Sequence, residues 1–333
     1  MYETAIKKIH AAHTVSVFMH INPDGDCVSS SLAVYAFLTN AGKIVHCFVE
    51  EGNKFKDNLR FLPYTEVINR DSLKSYDLAI AVDCAAPSRL GPQSYKKFLK
   101  SDDRICIDHH LNNTPFVETM ILEPKAASTT QILYKLFKEF DKKYIDYNVA
   151  TLLYAGLITD SGAMTYQSTT SETMRIASEL AEYGVDIYTL NRKLTKDVKL
   201  SVFRLTNLVL SKTQFYFDNR VGIITFSEED FAATGTSLED TEGIINKVID
   251  IVEVKIAVSV SQAEPGVYKV GIRTKDGIDA GAIAGVFGGG GHFNASGCRI
   301  FGDYQEGIKK LLETCETALK AGGGAACSTD SSI

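Results

Sequence analysis

The sequence predicts an α/β protein in two parts. An N-terminal parallel sheet flanked by helices is followed by a smaller C-terminal α/β domain with a mixed sheet. Two observations carry this reading. Up to about residue 110, short β-branched apolar runs alternate with helical stretches, the pattern of βαβ units. From Ala127 the chain turns mostly helical, and past residue 213 strands return with a hairpin-like signal. With 333 residues, about two domains are expected, each able to bury its own core.

The elements follow in order. Residues 2–13 read as a short helix and Val15–Met19 as a buried strand running into His20. After the turn Asn22-Pro23-Asp24-Gly25-Asp26, Val28–Asn40 reads as a helix with Gly42 as its stop. Further strands are expected at Ile44–Val49, Leu78–Val82 and Ile105–Asp108, with helical stretches near 54–62 and 94–100. Helices are expected at Ser128–Phe140, Asn148–Thr159, Ser171–Tyr183 and Ile187–Lys193, and a helical connector at 196–211. Gln214–Phe217 and Val221–Phe226 flank Asp218-Asn219 as a hairpin. Strands at Lys255–Val260 and Tyr268–Arg273 and a helix at Tyr304–Lys320 close the pattern. The expected organisation is a first domain over 1–190, a helical linker over 191–213, a second domain over 214–321, and a small, polar, disordered tail over 322–333.

The totals exclude several functions. A formal charge of −6 argues against a surface that grips long duplex nucleic acid electrostatically. Seven scattered cysteines without CxxC pairs suggest reduced thiols and a cytoplasmic protein. The N-terminus lacks signal-peptide order, and no run approaches the ~18 apolar residues of a membrane span. No membrane partner is expected.

Chemistry-bearing residues gather at the ends of the apolar runs. His20, Asp24 and Asp26 follow the first strand, and Asp83 ends the third. Asp108, His109 and His110 end the fourth, and Asp160 ends an apolar helix. Singly, each has a plain structural role: a turn former for Asp24, a helix cap for Asp26, a core histidine for His20. A parallel sheet, however, brings strand ends to one edge, where ligands bind. Acids and imidazoles crowded there would repel and lose hydration unless divalent cations resolved the conflict. Carboxylate and imidazole without thiolate suit Mn²⁺ best, with Mg²⁺ or Co²⁺ as further options.

Taken together, His20-Ile21-Asn22-Pro23-Asp24-Gly25-Asp26, Asp83, Asp108-His109-His110 and Thr159-Asp160-Ser161-Gly162 resemble the four signature motifs of the DHH phosphoesterases. Gly271-Ile272-Arg273 and the run from Gly288 through Gly289, Gly290 and Gly291 to His292 and Gly297 resemble the associated DHHA1 domain. Ser29 is a departure, since relatives often carry Gly there. The resemblance implies two divalent metal ions. His20 and Asp24 would hold one, Asp26, His109 and Asp160 the other, and Asp83 would bridge them. It also implies an orienting role for Asp108 and a phosphate contact or leaving-group protonation for His110. Arg89 is expected to be structural, with an acid or the substrate as its partner. Ser128-Thr129-Thr130 is expected to cap a helix.

Arg273, Gly289, Gly290, Gly291 and His292 are expected to bind substrate. Successive glycines let backbone N–H groups converge on an anion, and Arg holds a terminal phosphate bidentately. The most similar group is the stand-alone nanoRNase and pAp phosphatase type. The implied partners are short 5′-phosphorylated oligonucleotides or nucleotide bisphosphates as substrate, with a homodimer left open. The implied activity is hydrolysis of pApA-like oligonucleotides to mononucleotides and removal of the 3′-phosphate of adenosine 3′,5′-bisphosphate. Two alternatives are a cyclic di-AMP or linear dinucleotide phosphodiesterase and an inactive nucleotide sensor; the second would show a lost ligand, and all six are present.

Overall fold

The computed structural model describes residues 2–53 and 55–322. It divides into two compact units, Met1–Asp197 and Val198–Ile333. In the first unit α1 (Tyr2–Ala11), β1 (Thr14–Phe18), α2 (Gly25–Asn40), β2 (Ile44–Phe48) and β3 (Leu78–Val82) come first. Then follow α3 (Pro92–Phe98), β4 (Asp103–Asp108), β5 (Thr119–Leu122), α4 (Thr129–Asp141), α5 (Tyr147–Asp160), α6 (Ser171–Ala181) and α7 (Ile187–Thr195). The five strands form one parallel sheet of order β2-β1-β3-β4-β5. The order reverses at β1 and β3, and the crevice beyond their carboxyl ends is where open α/β sheets place ligands. His20 follows β1 and Asp83 follows β3 at that reversal.

The side-chain alternation of the strands builds two cores. Val15, Val17, Leu78, Ile80 and Val82 pack under α1, α2, α4 and α5. Phe18, Ala79, Ala81 and Cys106 face the other way, onto Phe98 of α3. Near-continuous apolar strands are what a parallel sheet covered on both faces requires.

The second unit holds α8 (Leu200–Ser211), β6 (Gln214–Tyr216), β7 (Val221–Phe226), α9 (Glu228–Thr234), α10 (Asn246–Ile249) and β8 (Ile256–Glu264). It continues with β9 (Val267–Thr274), α11 (Ala280–Gly285), β10 (Gly290–His292), β11 (Ala295–Phe301) and α12 (Tyr304–Gly322). Its six strands run in the order β10-β11-β9-β8-β7-β6; β7 and β8 are parallel and the other pairs antiparallel. The fold class expected from the sequence, a parallel sheet followed by a mixed one, is the one found.

Several elements depart from the sequence reading. The helix expected near 54–62 is a single 3-10 turn at Asp57–Leu59. The strand β5, the helices α9, α10 and α11 and the hairpin β10–β11 were not expected at all. The α2 helix begins at Gly25, three residues early, so Asp24 is its cap and Asp26 lies in its first turn. The hairpin at Asp218-Asn219 is present, with both residues at positive φ. Residues 323–333 of the expected tail lie outside the described residues, and Gly322 ends α12. Among the described residues no helix is long and apolar enough to cross a membrane.

Candidate metal centre

Asp83 is the hub of the first unit's rim. It is 2% exposed and lies one residue past β3 at φ +56°. Its amide still donates to Ile107 O at 2.9 Å, which fixes the turn against β4. From there its carboxylate meets three imidazoles. Oδ2 lies 3.6 Å from His20 Nε2, and Oδ1 lies 3.6 Å from His109 Nε2 and 3.7 Å from His110 Nδ1. Burial opposes its charge, but His20, His109 and His110 outweigh burial and hold its pKa at about 2.

The α2–α5 contact supplies the other acids. A Cβ on Gly25 would stand 2.6 Å from the Thr159 side chain, so only glycine lets α2 begin against the end of α5. That approach brings Asp26 and Asp160 to one group with His109, their ligand atoms lying within 4.8 Å of one another. His109 Nε2 is 3.1 Å from Asp160 Oδ2. Asp26 is 1% exposed and accepts from the amides of Thr129 at 2.6 Å and Thr130 at 3.2 Å, the first turn of α4. Its pKa is raised well above the carboxylate range, first by burial and then by Asp83 and Asp160. His109 is lifted to about 10: burial pulls it down, but Asp160, Asp83 and Asp26 raise it further.

The two imidazoles are set for ligation through Nε2. His20 Nδ1 faces Ile21 O at 2.8 Å, and His109 Nδ1 faces Ala126 O at 3.1 Å. A carbonyl accepts only, so a proton on each Nδ1 suits it, and each Nε2, turned toward the carboxylates, is the atom that would ligate a cation. This backbone pinning, with like charges packed around Asp83, fits a divalent cation set. Cys27 also stands near His20 and Asp83, but its thiol is raised by burial and accepts from the His20 amide at 3.3 Å. It stays a thiol in the wall. Asp24 lies outside the three tight groups found among the described residues and caps α2 through Cys27 N at 3.0 Å.

Asp108 is fully buried and does not enter the cluster. Its Oδ1 lies 2.7 Å from His110 Nδ1, and its Oδ2 accepts from Asn113 Nδ2, which also donates to Cys84 O at 3.2 Å. His110 is raised by Asp108, against its burial. Sequence reasoning missed Asn113 and Thr129. Ser128 does cap α4, accepting from Gln131 N at 3.1 Å, but Thr129 Oγ1 donates to Asp83 Oδ1 at 3.0 Å. The Ser-Thr-Thr run was the only available signal, and it reads equally well as a cap.

In the second unit Arg273 on β9 stands opposite Ala295 of β11, which stands opposite His292 of β10. The His292 side chain lies outside the described residues. Gly289 and Gly291 serve close packing, whereas a Cβ on Gly288 or Gly290 would meet nothing within 4 Å. A Cβ on Gly289 would stand 2.3 Å from Gly297 O, and Gly289 N donates to Ala284 O at 2.9 Å to close α11. Gly290 and Gly291 run as an edge strand rather than a loop converging on one point.

Residues 14–157 match the DHH family, N-terminal domain, and residues 225–321 match the DHHA1 domain. A bifunctional oligoribonuclease and PAP phosphatase NrnA of Thermus thermophilus is 32% identical over 93% of this chain and 91% of its own length. Its namesake in Bacillus subtilis is 25% identical over 93% and 96%. An exopolyphosphatase-related protein of Bacteroides fragilis superposes with a TM-score of 0.90 at 28% identity, covering 97% of each chain.

Proposed function

The chain belongs to the DHH family, with a DHHA1 domain behind the DHH domain, and on that premise we propose that it hydrolyses short 5′-phosphorylated oligonucleotides and dephosphorylates adenosine 3′,5′-bisphosphate. It is a metal-dependent phosphoesterase of the oligoribonuclease type. The observation that carries the reading is the Asp83 cluster, in which two backbone-pinned imidazoles turn Nε2 toward one buried carboxylate. His20 and Asp24 would hold one cation, Asp26, His109 and Asp160 a second, with Asp83 between them. Carboxylate and imidazole without thiolate favour Mn²⁺.

Bound there, divalent cations supply charge neutralisation, polarised phosphoryl oxygens and a water acidic enough to attack near neutral pH. The protein's own work is positioning. Thr129 and the first turn of α4 fix Asp83 and Asp26 by donating to them. Asp108 orients His110, which would then donate a proton to the leaving oxygen. Arg273 and the glycine strand are proposed to bind the substrate's terminal phosphate.

The test is a product profile with Mn²⁺ on adenosine 3′,5′-bisphosphate, pApA, cyclic di-AMP and a 20-mer RNA, after chelation and reloading. The first two should turn over, the 20-mer at least tenfold more slowly, and chelation should abolish all activity. Asp83→Ala should lose about 10³-fold or more, because one carboxylate would serve both cations. Preference for cyclic di-AMP would move the enzyme to the cyclic dinucleotide phosphodiesterases. Near-normal turnover by Asp83→Ala would end the two-cation reading.

A further inference from the structure

His20 Nδ1 has two neighbours that want opposite things. The Ile21 carbonyl oxygen lies 2.8 Å away and Arg89 Nη2 lies 3.1 Å away. A carbonyl only accepts and a guanidinium only donates, so the nitrogen serves one of them. It offers a proton to Ile21 or a lone pair to Arg89. Nε2 is the nitrogen that faces Asp83. Once Nε2 serves as a cation ligand, its lone pair is engaged there and the proton belongs on Nδ1, donated to Ile21. Arg89 then faces an N–H and has no acceptor on His20.

The Arg89 side chain has no other evident task. It is exposed, and among the described residues no carboxylate is paired with it. The structural work at this position is done by the main chain. Arg89 O accepts from Ile21 N at 2.6 Å, and Arg89 N donates to Ala86 O at 3.0 Å. These bonds lock the turn after β3 to the turn after β1 whatever side chain stands there. The lock holds a charged, planar fork of donors beside His20, at the rim of an acid-rich centre. An anionic substrate must approach Asp24, Asp83 and Asp160, and a fixed cation at the rim offsets part of that repulsion.

We propose that the Arg89 guanidinium is a substrate contact, donating to the outer oxygens of the phosphoryl group under attack on the His20–Asp83 side of the centre. This deepens the phosphoesterase reading and rests on it. Arg89 is distinct from Arg273, which lies in the other unit and is assigned to a terminal phosphate.

The experiment uses inorganic phosphate as the probe. Its affinity for the Mn²⁺-loaded full chain is measured by calorimetry in wild type, Arg89→Ala and Arg89→Lys. Mn²⁺ affinity and thermal stability are measured alongside. Arg89→Ala should weaken phosphate about ten- to hundredfold, the loss of a charge-assisted hydrogen-bond pair. Arg89→Lys should fall between, since it keeps the charge and loses the fork. Mn²⁺ affinity should stay within about threefold, and the melting temperature should hold because the main-chain lock remains. Unchanged phosphate affinity in Arg89→Ala would overturn the proposal. So would a loss that follows weakened Mn²⁺ binding and vanishes at saturating Mn²⁺, because Arg89 would then act by positioning His20. Wild-type turnover of pApA and adenosine 3′,5′-bisphosphate is scored separately. If neither is cleaved, the substrate assignment fails while the phosphate comparison still decides the role of Arg89.

Discussion

A single residue, Asp83, shows how the centre is assembled. Its left-handed backbone is uncommon for a non-glycine residue, and Asp tolerates it better than most. The conformation turns the carboxylate off the strand axis and onto three histidines. The same logic extends one layer out through His110, Asp108 and Asn113. Asp108 is fully buried, so each oxygen needs a donor; His110 Nδ1 serves one and Asn113 Nδ2 the other. Asn113→Ala removes the second donor and frees the carboxylate to rotate. We expect kcat on pApA to fall about tenfold to hundredfold with little change in KM, and stability to fall by about 1–3 kcal/mol. An unchanged kcat would show that His110 does not depend on this chain of hydrogen bonds. His20, Asp83, His109 and Asp160 stood out in the sequence because they sit at run ends, and Asp26 through the motif that begins at His20. Asn113, Thr129 and the Arg89–His20 contact were not. Each is a common polar residue whose partner lies far away in the chain or across a loop, and periodicity carries no such information.

Secondary-structure elements were legible where burial is two-sided. Strands β1, β3 and β4 read directly, because a covered parallel strand is a run of apolar residues. The β5 strand has four residues at the sheet edge, with alternate burial, and gives too short a pattern. The β10 strand is largely glycine, which disfavours strands, and exists because a bare backbone can approach β11. The entry into β3 also depends on a contact that patterning hides. Asp77 accepts from the amides of His13 and Thr14, both at 2.8 Å, and so ties the start of β3 to the start of β1. The Thr14 and His13 amides lower its pKa below the usual carboxylate range. Its contribution is therefore complete above the unfolded value of about 3.9 and is lost as the pH falls through the lower folded value. Asp77→Asn should melt below wild type by a constant margin between pH 5 and 8, and that margin should shrink below about pH 4. A margin that grew on acidification would contradict the sign of the shift.

At the scale of the molecule, the two units carry different chemistry. The first holds the carboxylates and imidazoles; the second offers Arg273 and a glycine-lined strand edge, with no comparable acid–imidazole group among the described residues. A net charge of −6 argues against electrostatic tracking of a long strand, and a local phosphate grip is the proposed determinant of what is cut. If the second unit only anchors a terminal phosphate, it supplies binding energy that fixes the reacting phosphate in register and takes no part in the bond-breaking step. Arg273→Ala should then keep full Mn²⁺ occupancy and lose about 10²-fold in kcat/KM on pApA and on adenosine 3′,5′-bisphosphate. Hydrolysis of bis(p-nitrophenyl) phosphate should stay within about threefold, because that diester has no second phosphate to anchor. His292→Ala should behave the same way if the histidine shares the anchor. The measurement is kcat/KM for both substrate types with metal content checked in each variant. A loss of equal size on the anchored and unanchored substrates would place Arg273 in the chemical step and remove the division of labour between the units.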